Sequence, residues 1–398
     1  MKEANNIPQG YKNSPLGIIP KEWEVKRLGE VCTFHNGRAY NQKELLSQGK
    51  YRVLRVGNFF TNSSWYFSNL ELEDVKYADD GDLLYAWSAS FGPRFWKGEK
   101  VIYHYHIWKI DNFIKVTNTY LYTFLLFDAS NLTNTLQGGI MVHVTKENME
   151  RRYIAIPPIK EQDKICSILQ LWDTAIEKQS ELIEKLNLRK RALMQQLLTG
   201  KKRLLGFSGE WKRIKAGDIF MSSSVRGKRS EVLLSATQEH GVIPRDQLEG
   251  RVTMPTGNLD SFKLVEVGDF VISLRSFQGG IEYSEYKGIV SPAYTVLKPV
   301  KEIDNSFYRF YFKSADFIGH LAIAVIGIRD GKQISYEDFC FVKIPYPRIE
   351  EQKAISAILI QAEKEIELAK EKLSNLQSQK RGLMQQLLTG KKRIKNIE

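Results

Sequence analysis

The sequence predicts an α+β protein built twice: two mixed α/β domains separated by two long antiparallel helices, a tandem duplication with pseudo-two-fold symmetry. Three observations lead there. KRALMQQLLTGKKRL at residues 190–204 returns as KRGLMQQLLTGKKRI at 380–394, an offset of 190. A heptad stripe precedes each of these segments. Upstream of each stripe lies an aromatic-rich stretch of short β-type runs interrupted by helical ones.

The duplication extends well beyond the repeated words. Glu161-Gln162 matches Glu351-Gln352, and VTKENM (144–149) matches ISYEDF (334–339), at the same offset of 190. Nearer the start, WEVKRLGEV (23–31) answers WKRIKAGDI (211–219), and GDLLYAWS (81–88) loosely answers GDFVISLR (268–275). A period of this size is far too long for a solenoid, so each copy must hold its own core.

In chain order, the first α/β domain occupies residues 1–156. YRVLRVGNFF and KVIYHYHIWKI read as strands and NTYLYTFLLFDAS as a helix, with Gly, Asn and Asp as turn signals between them. The prolines of IPPIKEQ then mark the edge of the first spacer helix, in the segment 157–205. Its seam carries Ile165, Leu169, Ile176 and Leu186 in steps of four and three. The second domain (206–345) includes DFVISLRSF as a strand and SFYRFYFKSADFIGHL as helix. IPYPRIEEQ opens the second spacer helix in 346–398, with Ile355, Leu359, Ile366 and Leu376 at the matching positions. Thr-Gly at 199–200 and 389–390 stops each helix, glycine being the usual residue just past a C-terminus. Each helix should run about 160–199 or 350–389, or ~60 Å at 1.5 Å per residue. A lone helix would leave this stripe in water, so the two copies are expected to bury each other's. Lys190 and Lys380 occupy one seam position in both copies and read as a register device or partner contact.

Composition narrows the class of function. With 42% hydrophobic and 26% charged residues among 398, the chain has the make-up of a soluble globular protein of two to three domains. No window approaches a membrane span, and the N-terminus lacks the apolar core of a signal peptide. Cys32, Cys166 and Cys340 are scattered and odd in number, which points to reduced thiols in the cytoplasm. The net charge of +12 divides as +3, +4, +1 and +4 over the four segments, so most of it lies in the two helical segments. Such a balance suggests a polyanionic partner.

Catalytic signatures are missing: there is no phosphate-binding loop, dinucleotide turn, amino-methylation motif or His-Glu-x-x-His. His104 and His106 share one face of an expected strand, but no Cys or acidic partner stands at a ligand spacing, so they read as strand residues. No metal or cofactor is expected in this chain. What remains is recognition. Arg and Lys can bond guanine, Asn and Gln can bond adenine, and glycine loops let a backbone approach phosphates. The candidate DNA-binding residues are Arg38, Arg55, Asn58, Ser88, Arg94 and Gln137 in the first domain. In the second they are Arg226, Lys228, Arg229, Arg275, Gln278, Arg329 and Lys332.

These features together resemble the specificity (S) subunit of type I restriction–modification systems. The resemblance is carried by GIIPKEWEVKRLGEV and GFSGEWKRIKAGDIF, by IPPIKEQDKI and IPYPRIEEQKAI opening the helices, and by LMQQLLTGKKR closing both. It covers essentially the whole chain. It implies two target-recognition domains, each reading one half of a split, asymmetric target in double-stranded DNA, and two antiparallel spacer helices setting the gap. It also implies assembly with two methyltransferase (M) subunits and with restriction (R) subunits. S-adenosylmethionine, ATP and Mg would then sit on those partners, with this chain non-catalytic and cytoplasmic. By the same resemblance, the exposed GKKR ends would contact the methyltransferase subunits. Two other readings stay open: a freestanding two-headed DNA-binding or scaffold protein, and an enzyme with an unfamiliar site.

Overall fold

The computed structural model describes residues 7–88, 90–135, 144–248, 259–274, 276–324 and 334–394. The chain divides into two compact units, residues 1–179 with 372–398 and residues 180–371. The two long helices are Ile159–Leu197 and Ile349–Leu388, within one residue of the expected starts and two of the expected ends. Each contributes to both units.

In the first unit, strands Thr33–Asn36, Ile107–Asp111, Leu83–Ser88 and Ser90–Phe95 form an antiparallel sheet in that order. A second sheet runs Tyr66–Ser68, Tyr51–Leu54, Val101–Tyr103, Tyr77–Ala78 and contains one parallel pair. In the second unit, Phe220–Ser223, Thr295–Pro299, Phe270–Ile272 and Glu282–Tyr283 form the corresponding antiparallel sheet. The echo in sequence is an echo in pairing. Glu24–Arg27 pairs antiparallel with Tyr153–Ile156, the strand leading into the first long helix. Lys212–Lys215 pairs in the same way with Lys343–Tyr346, ahead of the second.

Within each unit the helix segments run antiparallel. In the second unit Lys190 meets Glu363 and Arg203 meets Glu351, so advancing along one helix means retreating along the other. In the first, Asp173 meets Lys380 and Glu161 meets Arg393. The start of one helix and the end of the other close each globular core. Ile165, Leu169, Met384, Leu387 and Leu388 pack with Trp23, Phe34, Trp108 and Tyr120. Ile355, Leu359, Leu197 and Leu198 pack with Phe220, Phe270, Phe307 and Phe312. Of the expected seam, Ile165, Leu169, Ile355, Leu359 and Ile366 are buried, whereas Ile176, Leu186 and Leu376 are half-buried and lie outside these two cores.

Both helices stop by the same device. Gly200 and Gly390 adopt φ of +72° and +69°, and Lys202 and Lys392 donate their backbone N–H back to the carbonyls of Gln196 and Gln386 at 3.1 Å. This left-handed cap suits glycine because no Cβ meets the following carbonyl.

Three local readings are corrected. YRVLRVGNFF is a strand only over Tyr51–Leu54 and then turns into a short helix, Val56–Phe60. KVIYHYHIWKI is two strands, with His104–His106 forming the connection between them, so these histidines do not share a strand face. DFVISLRSF pairs only over Phe270–Ile272 and re-enters a helical turn at Ser276–Gly279. In each case a turn follows the apolar core strand after two or three pairs, which an apolar run alone does not reveal.

Candidate DNA interface

The repeated words become a pair of matching clamps. In the first unit the Trp23 indole N–H donates to Glu161 Oε2 at 3.1 Å, and Arg393 donates to both carboxylate oxygens at 3.2 and 2.8 Å. Arg393 also pairs with Glu22 at 2.8 Å. In the second unit Trp211 donates to Glu351 at 3.0 Å and Arg203 does so bidentately at 2.6 and 2.7 Å. Next to each glutamate a buried glutamine ties the helix start to the domain. Gln162 donates to the carbonyls of Lys115 and Pro157 and accepts the Thr117 N–H. Gln352 donates to Pro347 and accepts from Asp304. This corrects the expectation that the GKKR ends stand free: their arginines are consumed internally, and only the lysine pairs 201–202 and 391–392 are exposed. The seam lysines also have internal partners. Lys190 reaches Glu363 at 2.6 Å and Lys380 reaches Asp173, so each places its ammonium on the facing helix's rim.

The candidate readers of the first unit do not form one uniform set. Arg38 is bound bidentately to Glu44 at 3.0 and 2.7 Å and lies over Tyr40. That hydrogen bond raises the arginine's pKa and lowers the glutamate's. Arg55 stands immediately before the helix Val56–Phe60, 4.2 Å from the Tyr66 ring centroid, with its Nε buried and without a partner. Asn58 donates to the carbonyls of Asn62 and Ser64, so its amide holds the loop. Arg94 is exposed on its strand and lies 4.9 Å from the Phe60 centroid. Ser88 is buried, so its hydroxyl is not offered to a partner. Gln137 lies outside the described residues.

Arg52, over the Trp65 ring at 5.6 Å, is likewise an exposed cation set against an aromatic ring and was absent from the sequence candidates. The signal was available only as one exposed cation within a strand. Stacking on an aromatic ring holds a guanidinium's plane while leaving its edge free to bond. Close by, His104 has its pKa pushed down to about 4 by burial, His106 and Arg55, which keeps the imidazole neutral. The rings of His104 and His106 lie 4.8 Å apart, and no cluster of metal-binding residues occurs among the described residues.

In the second unit Arg226, Lys228 and Arg229 are exposed on the loop after Phe220–Ser223. Gln278 lies in Ser276–Gly279. Arg275, Arg329 and Lys332 lie outside the described residues.

The family model for the type I restriction modification DNA specificity domain matches this chain twice, over residues 20–188 and 208–378. The chain belongs to that family. Among specificity-subunit relatives, the type I restriction enzyme MjaVIII specificity subunit of Methanocaldococcus jannaschii is 27% identical, covering 95% of both chains. The putative MjaX specificity subunit of the same organism is 25% identical, covering 97% of both. A solved chain from a study of assembly and conformational transition in the type I R-M system superposes with a TM-score of 0.61 at 16% identity, over 94% of this chain and 99% of that one. The crystal structure of a type I restriction–modification S subunit from M. genitalium gives 0.52 at 15% identity, covering 98% of each chain. Those two likenesses concern the fold. Each specificity domain here spans one globular part and most of the long helix that follows it. No helix among the described residues is long and apolar enough to cross a membrane.

Proposed function

We propose that this chain is the DNA-specificity subunit of a type I restriction–modification complex and is itself non-catalytic. Each globular part reads one half of a bipartite, asymmetric target. Partner methyltransferase subunits, two per specificity chain, methylate adenine within it using S-adenosylmethionine, and restriction subunits using ATP and Mg join them in the cytoplasm. The observation that carries this reading is the double match to the specificity domain, on two units repeating the same strand pairing and the same clamp.

The reading residues of the first unit are Arg52, Arg55 and Arg94, each set over an aromatic ring. In the second unit they are those of the basic loop, Arg226, Lys228 and Arg229. Outside the matched boundary motifs the two globular segments differ in sequence, which supports unlike half-sites. Their net charges of +3 and +1 are too small for strong non-specific binding, so the partner subunits must supply much of the grip on the duplex.

The test is to map methylated adenines in cells carrying the partner methyltransferase, with and without this chain. One split motif should appear only when both are present. Methylation by the isolated chain incubated with S-adenosylmethionine and DNA would refute the non-catalytic assignment. A motif unchanged by removal of the chain would refute the specificity role.

A further inference from the structure

We propose that the cleft between the strand Phe220–Ser223 and the segment 334–337 of the second unit is a phosphate-binding site that grips the target duplex by its backbone, an assignment resting on the DNA-recognition reading above. The cleft has a volume of about 340 Å³ and is lined by Ser222, Ser223, Ser224, Thr295 and Lys263, with Tyr336 at one side. Among the described residues the hydroxyls of those three serines and of Thr295 make no hydrogen bond within the protein, so four donors stand ready for an acceptor-rich ligand. Lys263 spends one N–H on the Tyr294 carbonyl and has two left. The exposed Arg226, Lys228 and Arg229 follow directly on the serine strand, and among the described residues neither they nor Lys263 pair with a carboxylate. One carboxylate, Glu337, lines the cleft, and it is exposed. Burial and the neighbouring Arg226 push the Lys263 pKa down, as expected where positive charge is not compensated.

The first unit supplies the contrast. Its counterpart of Arg226 is Arg38 and its counterpart of Lys263 is Lys76, at offsets of 188 and 187. There the arginine is answered internally: Arg38 is bound to Glu44 and His35 is hydrogen-bonded to Asp111 at 2.8 Å, while Lys76, like Lys263, rests on a backbone carbonyl, that of Asn36. Phe34, buried in the core, stands where the second unit has Ser222. The arginine at this scaffold position is therefore neutralised in the first unit, whereas the second leaves its arginine without a carboxylate among the described residues and lines the place with hydroxyls. A phosphodiester is the duplex component that matches the latter. Bases present no full negative charge.

The experiment uses the complex of the full chain with its methyltransferase partner and a fluorescent duplex carrying the motif found by adenine mapping. Lys263→Gln should weaken binding evenly across single-base variants of the duplex. It should also reduce the slope of log affinity against log salt by roughly one. Between 50 and 200 mM salt, the wild-type complex should then lose roughly three- to fourfold more affinity than the variant. Lys263→Arg should keep the wild-type slope, and Lys76→Gln should change it less than Lys263→Gln does. Ser224→Asp, at an exposed position that does not threaten the fold, should weaken binding further. Unchanged affinity and slope in Lys263→Gln and Ser224→Asp would overturn the site while leaving specific binding intact. A change confined to one base position would overturn it in favour of base reading. A wild-type complex that does not prefer its motif would refute the DNA-recognition reading itself.

Discussion

Replacing Glu351 by Gln tests the clamp where it is most enclosed. The Glu351 side chain is 1% exposed and that of Arg203 21%. The substitution keeps an acceptor for the Trp211 indole but removes the charge that answers Arg203. Breaking a buried pair by deleting one partner costs about 3–5 kcal/mol, because the surviving charge stays desolvated. Arg203 is only partly buried and also donates to the Gly209 carbonyl, so the expected loss is about 2–3 kcal/mol. The same change at Glu161 should cost less, about 1 kcal/mol, because Arg393 is 33% exposed and keeps Glu22. Hydrogen exchange read by mass spectrometry over residues 159–169 and 349–359 separates the two sites within one full-length chain. The 349–359 peptide should lose more protection in Glu351→Gln than the 159–169 peptide loses in Glu161→Gln. Equal losses, or a Glu351→Gln loss below about 0.5 kcal/mol, would show that the carboxylate is not what holds the helix start.

Gly382 lies exposed inside the second long helix, where the first copy has Ala192, and an added Cβ would meet nothing within 4 Å. Gly382→Ala should therefore stabilise by about 0.5–1 kcal/mol, read as a raised denaturation midpoint; destabilisation would mean the backbone needs glycine there. His104 has its folded pKa lowered to about 4, below the ordinary value of 6.5. An imidazole held neutral contributes stability that is fully present above the unfolded pKa and is lost as pH falls through the folded one. Stability measured from pH 7 to pH 4 should accordingly fall less steeply in His104→Gln than in the wild type, and identical profiles would exclude the assignment.

The long helices were legible because heptad spacing, the proline boundary and the Thr-Gly stop all report locally, and together they fixed the ends to within two residues. The strand pairing of each WEVKR-like segment with the strand before its helix was not legible. Partners separated by more than a hundred residues leave only short apolar runs, which do not say what they pair with. Arg38 shows why the candidate readers were harder still. As a word it sits in GRAYNQ like a free loop cation, and only the fold of 38–44 reveals that Glu44 has taken it. Arg203 and Arg393 misled in the opposite sense. A basic run after a helix stop reads as a solvent-facing tail, and the glutamate that claims each arginine lies 148 or 232 residues away. Lys263 and Ser222–Ser224 escaped notice because their convergence depends on two strands and a helix meeting.

The helix sharing has a temporal side. Residues 180–371, which make the second unit, are contiguous and can complete their core as soon as they have left the ribosome. The first unit cannot, although its globular part is made first. Met384, Leu387, Leu388 and Arg393, which close it, are synthesised roughly ten seconds or more after Glu161 at ordinary elongation rates. Throughout that interval the nascent first unit exposes the apolar faces of Ile165 and Leu169, and its final closure joins residues 232 apart in sequence. Of the two units, the one whose globular part is made first is thus the last to be finished.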